Sequence, residues 1–188
     1  MTHRLHLLAP ALSASLREAR FDDGCSLDAA GVRAARDAAD GVPVAVRVWC
    51  SPSVRCRETA AELGLTAVDV PEWAGLDAGR WRGLTLEEVG AREPEALAGW
   101  LSDPGAAPHG GESVRGFCDR VAGWLTSGAE LSGRTVAVVE PEVVRAVVVR
   151  LLGAPDEAFW RVDVPPLSGV EASGRGGRWN VRLGGGPL

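Results

Sequence analysis

The sequence predicts an α/β fold, a three-layer αβα sandwich in which a mostly parallel sheet lies between helices. Short apolar runs at 4–8 and 44–49 are rich in residues that favour strands. Stretches with helical periodicity follow them, at 27–39 and 53–63. The clearest unit, 134–155, again has a strand followed by a helix. Repeated strand and helix units of this kind are typical of parallel sheets covered by helices.

The predicted helices begin and end at known signals. Ser51 and Pro52 introduce the helix at 53–63. In the 134–155 unit a buried strand leads into a charged turn with a proline, and Gly153 and Pro155 end the helix that follows. These signals delimit the helices along the chain.

The segment 71–108 has a different composition, rich in Trp, Gly, Pro and acidic residues. Short helices are expected at 84–91 and 94–102, so this segment is interpreted as a small helical cap inserted into the domain. An amphipathic helix is expected at about 112–125, and 159–183 is expected to form strands broken by turns.

Length and composition restrict the class of protein. A chain of 188 residues with 46% hydrophobic residues predicts one domain spanning 1–188. No stretch approaches the roughly 20 apolar residues of a membrane span, and no signal peptide is recognisable, so a cytoplasmic protein is expected. The net charge of -5 without a basic run argues against nucleic-acid or membrane partners and favours a small-molecule or protein partner. The sequence makes no prediction of oligomeric state.

The cysteines are expected to be reduced and packed in the interior. No CxxC pair occurs among the four, and none is predicted to bind metal or form a disulfide. They are Cys25, Cys50, Cys56 and Cys118. The sequence therefore predicts neither a metal nor another cofactor.

In parallel sheets, ligands bind beyond the carboxyl ends of the strands. Here those ends are at 9–13, 50–55 and 139–142. The candidate functional residues are sought first in these three segments.

Several motifs occur in a specific order: "LHLLAPALS", "LDAAGVRAA", "CSPSVRCRETA", "GLDAGRWRGLTLEEV", "PHGGESVRGFCDRV" and "VAVVEPEVVRAVV". In order and spacing the chain resembles the histidine phosphatase superfamily, also called phosphoglycerate mutase-like, over nearly its whole length. The resemblance implies the same three-layer fold. It also implies which positions would carry phosphoryl transfer.

Members of that family have Arg-His-Gly after the first strand, and the histidine becomes phosphorylated. The matching residues here are Ala9, Pro10 and Ala11. Proline carries no nucleophile and alanine no charge, so phosphohistidine chemistry is not expected. The chain resembles a degenerate member that lacks the catalytic histidines.

The family's second histidine corresponds to Glu140, with Glu142 two residues later. Carboxylates here would repel a phosphate dianion. The family's acid falls on Gly75, although Asp77 nearby is a candidate replacement. Arg55, which matches a phosphate-binding arginine, is retained.

Roles for individual residues complete the candidate site. Ser13 matches a family threonine and is grouped with Arg55, Asp77 and Trp81 as ligand-binding. Glu140 is the candidate general base, and Glu142 assists it. His109 in "APHGGES", whose loop the resemblance places near the mouth of the pocket, is the candidate acid. Arg55 is the candidate anchor for an anionic group.

Structural roles remain open for these residues. The two glutamates also suit a capped helix start, Arg55 also suits an ion pair with them, and His109 also suits a surface loop.

Three functions follow from these assignments. The first is a small-molecule enzyme that performs non-redox acid–base chemistry, such as cyclisation, isomerisation or elimination in a biosynthetic pathway, without a cofactor. The second is a non-catalytic pseudophosphatase that binds a ligand or protein. The third, less favoured, is residual phosphomonoesterase activity with another nucleophile.

Overall fold

The computed structural model describes residues 3–126, 133–175 and 178–183. Six strands make up its sheet: β1 (His3–Leu8), β2 (Arg47–Cys50), β3 (Val68–Asp69), β4 (Gly133–Val138), β5 (Gly169–Arg175) and β6 (Arg178–Leu183). The α-helices of the described residues are α1 (Ala14–Arg17), α2 (Ala29–Ala38), α3 (Val54–Glu62), α4 (Leu86–Arg92), α5 (Pro94–Ser102), α6 (Val114–Thr126) and α7 (Pro141–Leu152).

The sheet is mostly parallel, as the sequence predicts. Its strand order is β3-β2-β4-β1-β5-β6. The first four of these strands run parallel, whereas β5 and β6 are antiparallel to their neighbours. In register, Leu8 lies opposite Val138, and Val138 lies opposite Cys50. The carboxyl ends of β1, β4 and β2 therefore meet at one edge.

Helices cover both faces of this sheet. Leu7 packs into one apolar cluster with residues of α6 and α7, whereas its neighbour Leu8 packs into a second cluster with residues of α2 and α3. Successive side chains of a strand point to opposite faces, which places the two clusters on opposite sides. The predicted α/β fold with helices on both faces of the sheet is confirmed.

Most predicted helices are present within a few residues of their expected ends. The stretches expected at 27–39 and 53–63 form α2 and α3, and the 94–102 helix has the expected bounds as α5. Ser53, rather than Ser51 or Pro52, is the N-cap of α3, where its hydroxyl accepts from the Cys56 N–H. Gly153 ends α7 in the left-handed conformation with a φ of 61°.

Two expected strands differ from the structure. The run at 44–49 becomes a strand only from Arg47, because β2 pairs with β4 from that residue onward and Val44 is 91% exposed. In the tail, Asp156–Arg161 form a 3-10 helix rather than part of a strand. The Asp156 carboxylate is held there by Arg150 and Arg115, which fixes the turn against α7 and α6.

Among the described residues, no helix is both long and apolar enough to cross a membrane. All four cysteines are free thiols, and Cys50, Cys56 and Cys118 are buried.

Candidate functional site

The candidate site lies where α3 and α7 begin, beyond the carboxyl ends of β1, β2 and β4. Pro10 follows β1, Arg55 lies in the first turn of α3, and Glu140 is the N-cap residue of α7. Pro141 occupies the first position of α7, where its missing N–H costs no helical hydrogen bond. The topology therefore brings Arg55 and Glu140 together although 85 positions separate them in the sequence.

Arg55 and Glu140 form a buried ion pair. Nε of Arg55 donates to both carboxylate oxygens of Glu140 at 3.0 and 2.9 Å, and Nη2 donates to Oε2 at 2.5 Å. Their side chains are only 3% and 1% exposed. Burial by itself lowers the pKa of Arg55, but the Glu140 carboxylate outweighs burial and holds that pKa above its ordinary value. Arg55 therefore stays charged, and the Glu140 side chain that it contacts compensates its positive charge.

The rest of the Arg55 guanidinium is also engaged. Nη1 donates to the Ser15 hydroxyl at 3.1 Å and lies 3.5 Å from Oδ1 of Asp22. Because Glu140 takes the edge formed by Nε and Nη2, and Ser15 accepts from Nη1, no edge has both nitrogens free for bidentate binding of a ligand phosphate or carboxylate.

Neighbouring residues also hold Glu140 in place. Its backbone N–H donates to the Ser51 hydroxyl, which in turn donates to the Trp73 carbonyl at 2.6 Å. The Cys56 thiol lies 3.6 Å from Oε1. Burial, followed by the Glu140 charge, raises the pKa of Cys56 well above its ordinary value, so the thiol stays protonated and is not a nucleophile. Glu140 is thus fixed in place by its neighbours.

Glu142 differs from Glu140 because the structure gives its carboxyl no ion-pair partner among the described residues. Burial, followed by the Glu140 charge, raises the pKa of Glu142 to about 7. Its Oε1 lies 2.9 Å from the point where a Cβ atom on Gly75 would lie. The absence of a side chain at position 75 thus leaves room for this carboxyl group.

Glu142 lines a cavity of about 570 Å³, as do Pro10 and Arg55. Most of the wall is apolar, and its larger side chains are Leu16, Phe21, Leu76, Leu86, Trp100, Leu101, Phe159, Trp160 and Val164. Trp100 and Trp160 contact each other edge to face with ring centroids 4.2 Å apart. Such a cavity is suited to an organic ligand with substantial apolar surface.

Four sequence-predicted site residues do not line this cavity: Ser13, Asp77, Trp81 and His109. Ser13 is the buried N-cap of α1, and Trp81 is fully buried, where its Nε1 donates to Glu93. Asp77 is exposed, and its carboxylate accepts from the Gly79 N–H. These contacts give three of the four a structural role in the fold.

His109, expected near the mouth of the pocket, is instead 2% exposed. It packs against Trp81 with ring centroids 4.9 Å apart, because the loop that carries it folds back over Gly79. Nδ1 accepts from the Gly111 N–H, and burial lowers the pKa of the ring. His109 is therefore a neutral residue of the aromatic core.

Sequence reasoning missed most of the cavity wall. Phe21 and Asp22 come from the loop before α2, Trp160 from the 3-10 helix, and Pro165 and Pro166 from the loop before β5. Loop residues follow no period, so the local sequence gives no signal for this part of the wall. Among the described residues, no cluster of His, Cys, Asp and Glu could hold a metal ion.

Comparison with known proteins identifies the family. A model described as "Histidine phosphatase superfamily (branch 1)" matches residues 16–185. The chain belongs to the histidine phosphatase superfamily. Phosphoserine phosphatase 1 of Hydrogenobacter thermophilus is 32% identical over 120 residues, which cover 60% of this chain and 57% of that protein. The match therefore spans less than two thirds of that superfamily relative.

Solved structures agree with this assignment. A mycobacterial glucosyl-3-phosphoglycerate phosphatase in complex with VO3 has a TM-score of 0.83 at 26% identity, covering 96% of this chain and 98% of that one. A protein described as mycobacterial hydrolase 1 has a TM-score of 0.86 at 22% identity, covering both chains completely. At 22% identity, the similarity to mycobacterial hydrolase 1 shows only that the two chains share a fold.

Proposed function

We propose that this member of the histidine phosphatase superfamily has lost phosphohistidine chemistry and uses its cavity to bind a small organic molecule. Glu142 would transfer a proton in a non-redox, cofactor-independent reaction such as a cyclisation, isomerisation or elimination in a biosynthetic pathway. The observation that carries this proposal is the buried ion pair of Arg55 and Glu140. In this pair the Glu140 carboxylate accepts the hydrogen bonds that Arg55 would otherwise donate to a ligand.

Three features of this cavity oppose phosphoryl transfer. Pro10 has no nucleophilic atom at the position of the superfamily's histidine. Arg55 is neutralised by Glu140, so its charge no longer stabilises a phosphate. Glu142 would add a negative charge beside the phosphate when ionised. Although Arg20 and Arg145 also line the cavity, it lacks the nucleophile and the uncompensated Arg55 charge that phosphoryl transfer would use.

The geometry favours Glu142 over Glu140 as the group that exchanges a proton with the ligand. Both oxygens of Glu140 accept from Arg55, and the side chain is buried, whereas the Glu142 carboxyl faces the cavity. A carboxyl with a pKa of about 7 exists in both protonation states near neutral pH, which suits general acid–base catalysis. Glu140 and Arg55 then act as positioning residues.

The apolar wall of the cavity favours an organic substrate. Leu76, Leu86, Trp100 and Leu101 come from the segment 71–108, which we interpret as a cap over the cavity in a single domain spanning 1–188. Apolar surface of this kind excludes water, and this strengthens the electrostatic interactions inside the cavity. Four free thiols fit a reducing, cytoplasmic location.

A second function, ligand binding without turnover, is favoured by a specific observation. The described residues that line the cavity include no histidine, cysteine, lysine or tyrosine to complement Glu142. A pseudophosphatase that binds a small molecule or a protein segment would need no such partner. Glu142→Gln distinguishes the two functions, since it abolishes turnover of a substrate but leaves binding by a pure binding protein largely unchanged.

The first test is phosphate release from phosphoserine, 3-phosphoglycerate and p-nitrophenyl phosphate, with Arg55→Ala as the comparison. We expect no release above the blank from either protein. Release by the wild type that disappears in Arg55→Ala, with the variant shown to be folded by its thermal unfolding, would overturn the proposal and assign the protein to phosphoryl transfer with a nucleophile other than histidine.

A further inference from the structure

A row of hydrogen-bond donors crosses the sheet away from the cavity. Arg134 of β4 lies opposite Arg4 of β1, Arg4 lies opposite Ser173 of β5, and Ser173 lies opposite Asn180 of β6. Residues paired across neighbouring strands point to the same face. With strands about 4.8 Å apart, the row extends roughly 14 Å across the sheet. Guanidinium, hydroxyl and amide groups all donate hydrogen bonds to anions.

These four residues line a second groove, of about 570 Å³, with Pro43 on its wall. It lies toward the amino ends of β1 and β4, whereas Glu142 lies beyond their carboxyl ends. No described residue lines both the groove and the cavity. The groove is therefore a separate candidate site.

The charges of the groove are unbalanced. Arg4 and Arg134 face each other on adjacent strands, an arrangement of like charges that is unfavourable without a counter-ion. Neither has an ion-pair partner among the described residues, whereas Arg57 and Arg150 are both paired with carboxylates. Of the described residues that line the groove, three are arginines and one, Glu171, is a carboxylate, in a protein whose net charge is -5.

The single carboxylate is only loosely paired. Glu171 lies 3.6 Å from Nδ1 of His6 and 3.9 Å from Nη1 of Arg182. Neither ring nitrogen of His6 has a hydrogen-bond partner among the described residues, although the ring is largely buried. Among the residues that the structure describes, Glu171 thus leaves the positive charge of Arg4 and Arg134 uncompensated.

We propose that this groove binds a phosphorylated small molecule, with the phosphate between Arg4 and Arg134 and a polar body over Ser173 and Asn180. Two guanidinium groups side by side match the oxygens of a phosphate bidentately. The remaining length of the row is too great for a phosphate ion alone, and its uncharged donors suit hydroxyl groups of a sugar. The proposal is independent of what the cavity binds.

The test is calorimetric titration with glucose 6-phosphate, inorganic phosphate and glucose. We expect saturable binding of glucose 6-phosphate, weaker binding of inorganic phosphate, and none of glucose. The double variant Arg4→Ala/Arg134→Ala should raise the dissociation constant by at least about tenfold, a change of ~1.4 kcal/mol. Arg33→Ala, which removes an exposed arginine of α2, is the matched control and should bind as the wild type does.

Two further variants separate loss of binding from loss of folding, and the groove from the cavity. Arg4→Gln changes one exposed residue and serves if the double variant does not fold, as judged by its thermal unfolding. Glu142→Gln should leave the dissociation constant unchanged, which separates the groove from the cavity. Absence of saturable binding to the wild type at about 10 mM ligand, a free energy weaker than ~3 kcal/mol, would overturn the proposal, as would equal binding by the Arg4 and Arg134 variants.

Discussion

The carboxyl group of Glu142 occupies the space beside Gly75, with Oε1 2.9 Å from the point where a Cβ atom on that glycine would lie. Position 75 is where the superfamily resemblance places an acid in other members. Here the carboxyl group comes from α7, while residue 75 contributes only backbone. The two positions are thus complementary, and a side chain at one restricts the side chain at the other.

Gly75→Ala should displace the Glu142 carboxyl group. Because the contact is with the end of a flexible side chain, we expect a modest loss of stability, about 1 kcal/mol, with a change in the pKa of Glu142. Urea unfolding and NMR titration of the glutamate carboxyl carbons would measure both. Gly99→Ala in α5 has nothing within 4 Å of the new Cβ and should stabilise the protein slightly. An unchanged Glu142 titration in Gly75→Ala would contradict the predicted contact.

Removing one partner of the buried pair should be strongly destabilising. Arg55→Ala and Glu140→Ala each leave an uncompensated buried charge, with an expected cost of about 3–5 kcal/mol in the free energy of unfolding. The double variant Arg55→Met/Glu140→Leu should lose much less than the sum, because no isolated charge remains. Denaturant unfolding measures all three.

Arg57→Ala provides the control for this series. Arg57 lies two residues further along α3 and pairs with Asp69 at the surface, where both side chains are substantially exposed. Its loss should cost below about 1 kcal/mol. A similar cost for Arg55→Ala would mean that the buried pair contributes no more than a surface pair.

Glu142 should make stability depend on pH in a defined direction. Its folded-state pKa, about 7, is raised above the ordinary 4.5, so the native state binds the proton more tightly than the unfolded state. This contribution is fully present below pH 4.5 and is lost as the pH rises through 7. The loss is at most roughly 3.5 kcal/mol, since one pKa unit corresponds to about 1.4 kcal/mol.

Glu142→Gln should abolish this contribution, so the difference in unfolding free energy between wild type and variant should change between pH 4.5 and 7. Burial lowers the pKa of His6 and His109, and these residues contribute with the opposite sign as the pH falls. They are present in both proteins and cancel in the difference. A difference that is constant with pH would show that Glu142 titrates normally.

The fold could be predicted from the sequence because its signals are local. Strand and helix periodicity, Pro141 at a helix start and Gly153 at its end identify the 134–155 unit without knowledge of the rest of the chain. The ends of parallel strands converge in any such sheet, which accounts for the proximity of Arg55 and Glu140. These predictions depend on topology rather than on detailed packing.

The side-chain environments could not be predicted in the same way. The sequence placed His109 near the mouth of the pocket, but the packing of Trp81 and Trp100 encloses it in the core. It also grouped Trp81 with the ligand-binding residues, whereas Trp100 and Trp160 line the cavity. Which tryptophan faces the cavity depends on contacts between segments far apart in the chain, and these have no signature in the local sequence.

Trp160→Ala should weaken the binding of an aromatic ligand to the cavity. Indole is a suitable neutral probe, because it has the apolar surface that the wall matches and carries no charge to bind the groove on the sheet. Loss of one aromatic contact of about 0.5–1.5 kcal/mol predicts roughly a two- to tenfold rise in the dissociation constant. Fluorescence is complicated by the protein's own tryptophans, so NMR titration is preferred.

Trp124→Ala is the matched control for this experiment. Trp124 packs against Trp73 with ring centroids 4.5 Å apart and is absent from the lining of the cavity. Its loss should lower stability through the lost aromatic contact but leave the affinity for indole unchanged. If the two variants weaken indole binding equally while both remain folded, indole binds outside the cavity, and the interpretation of its aromatic wall as a ligand site is wrong.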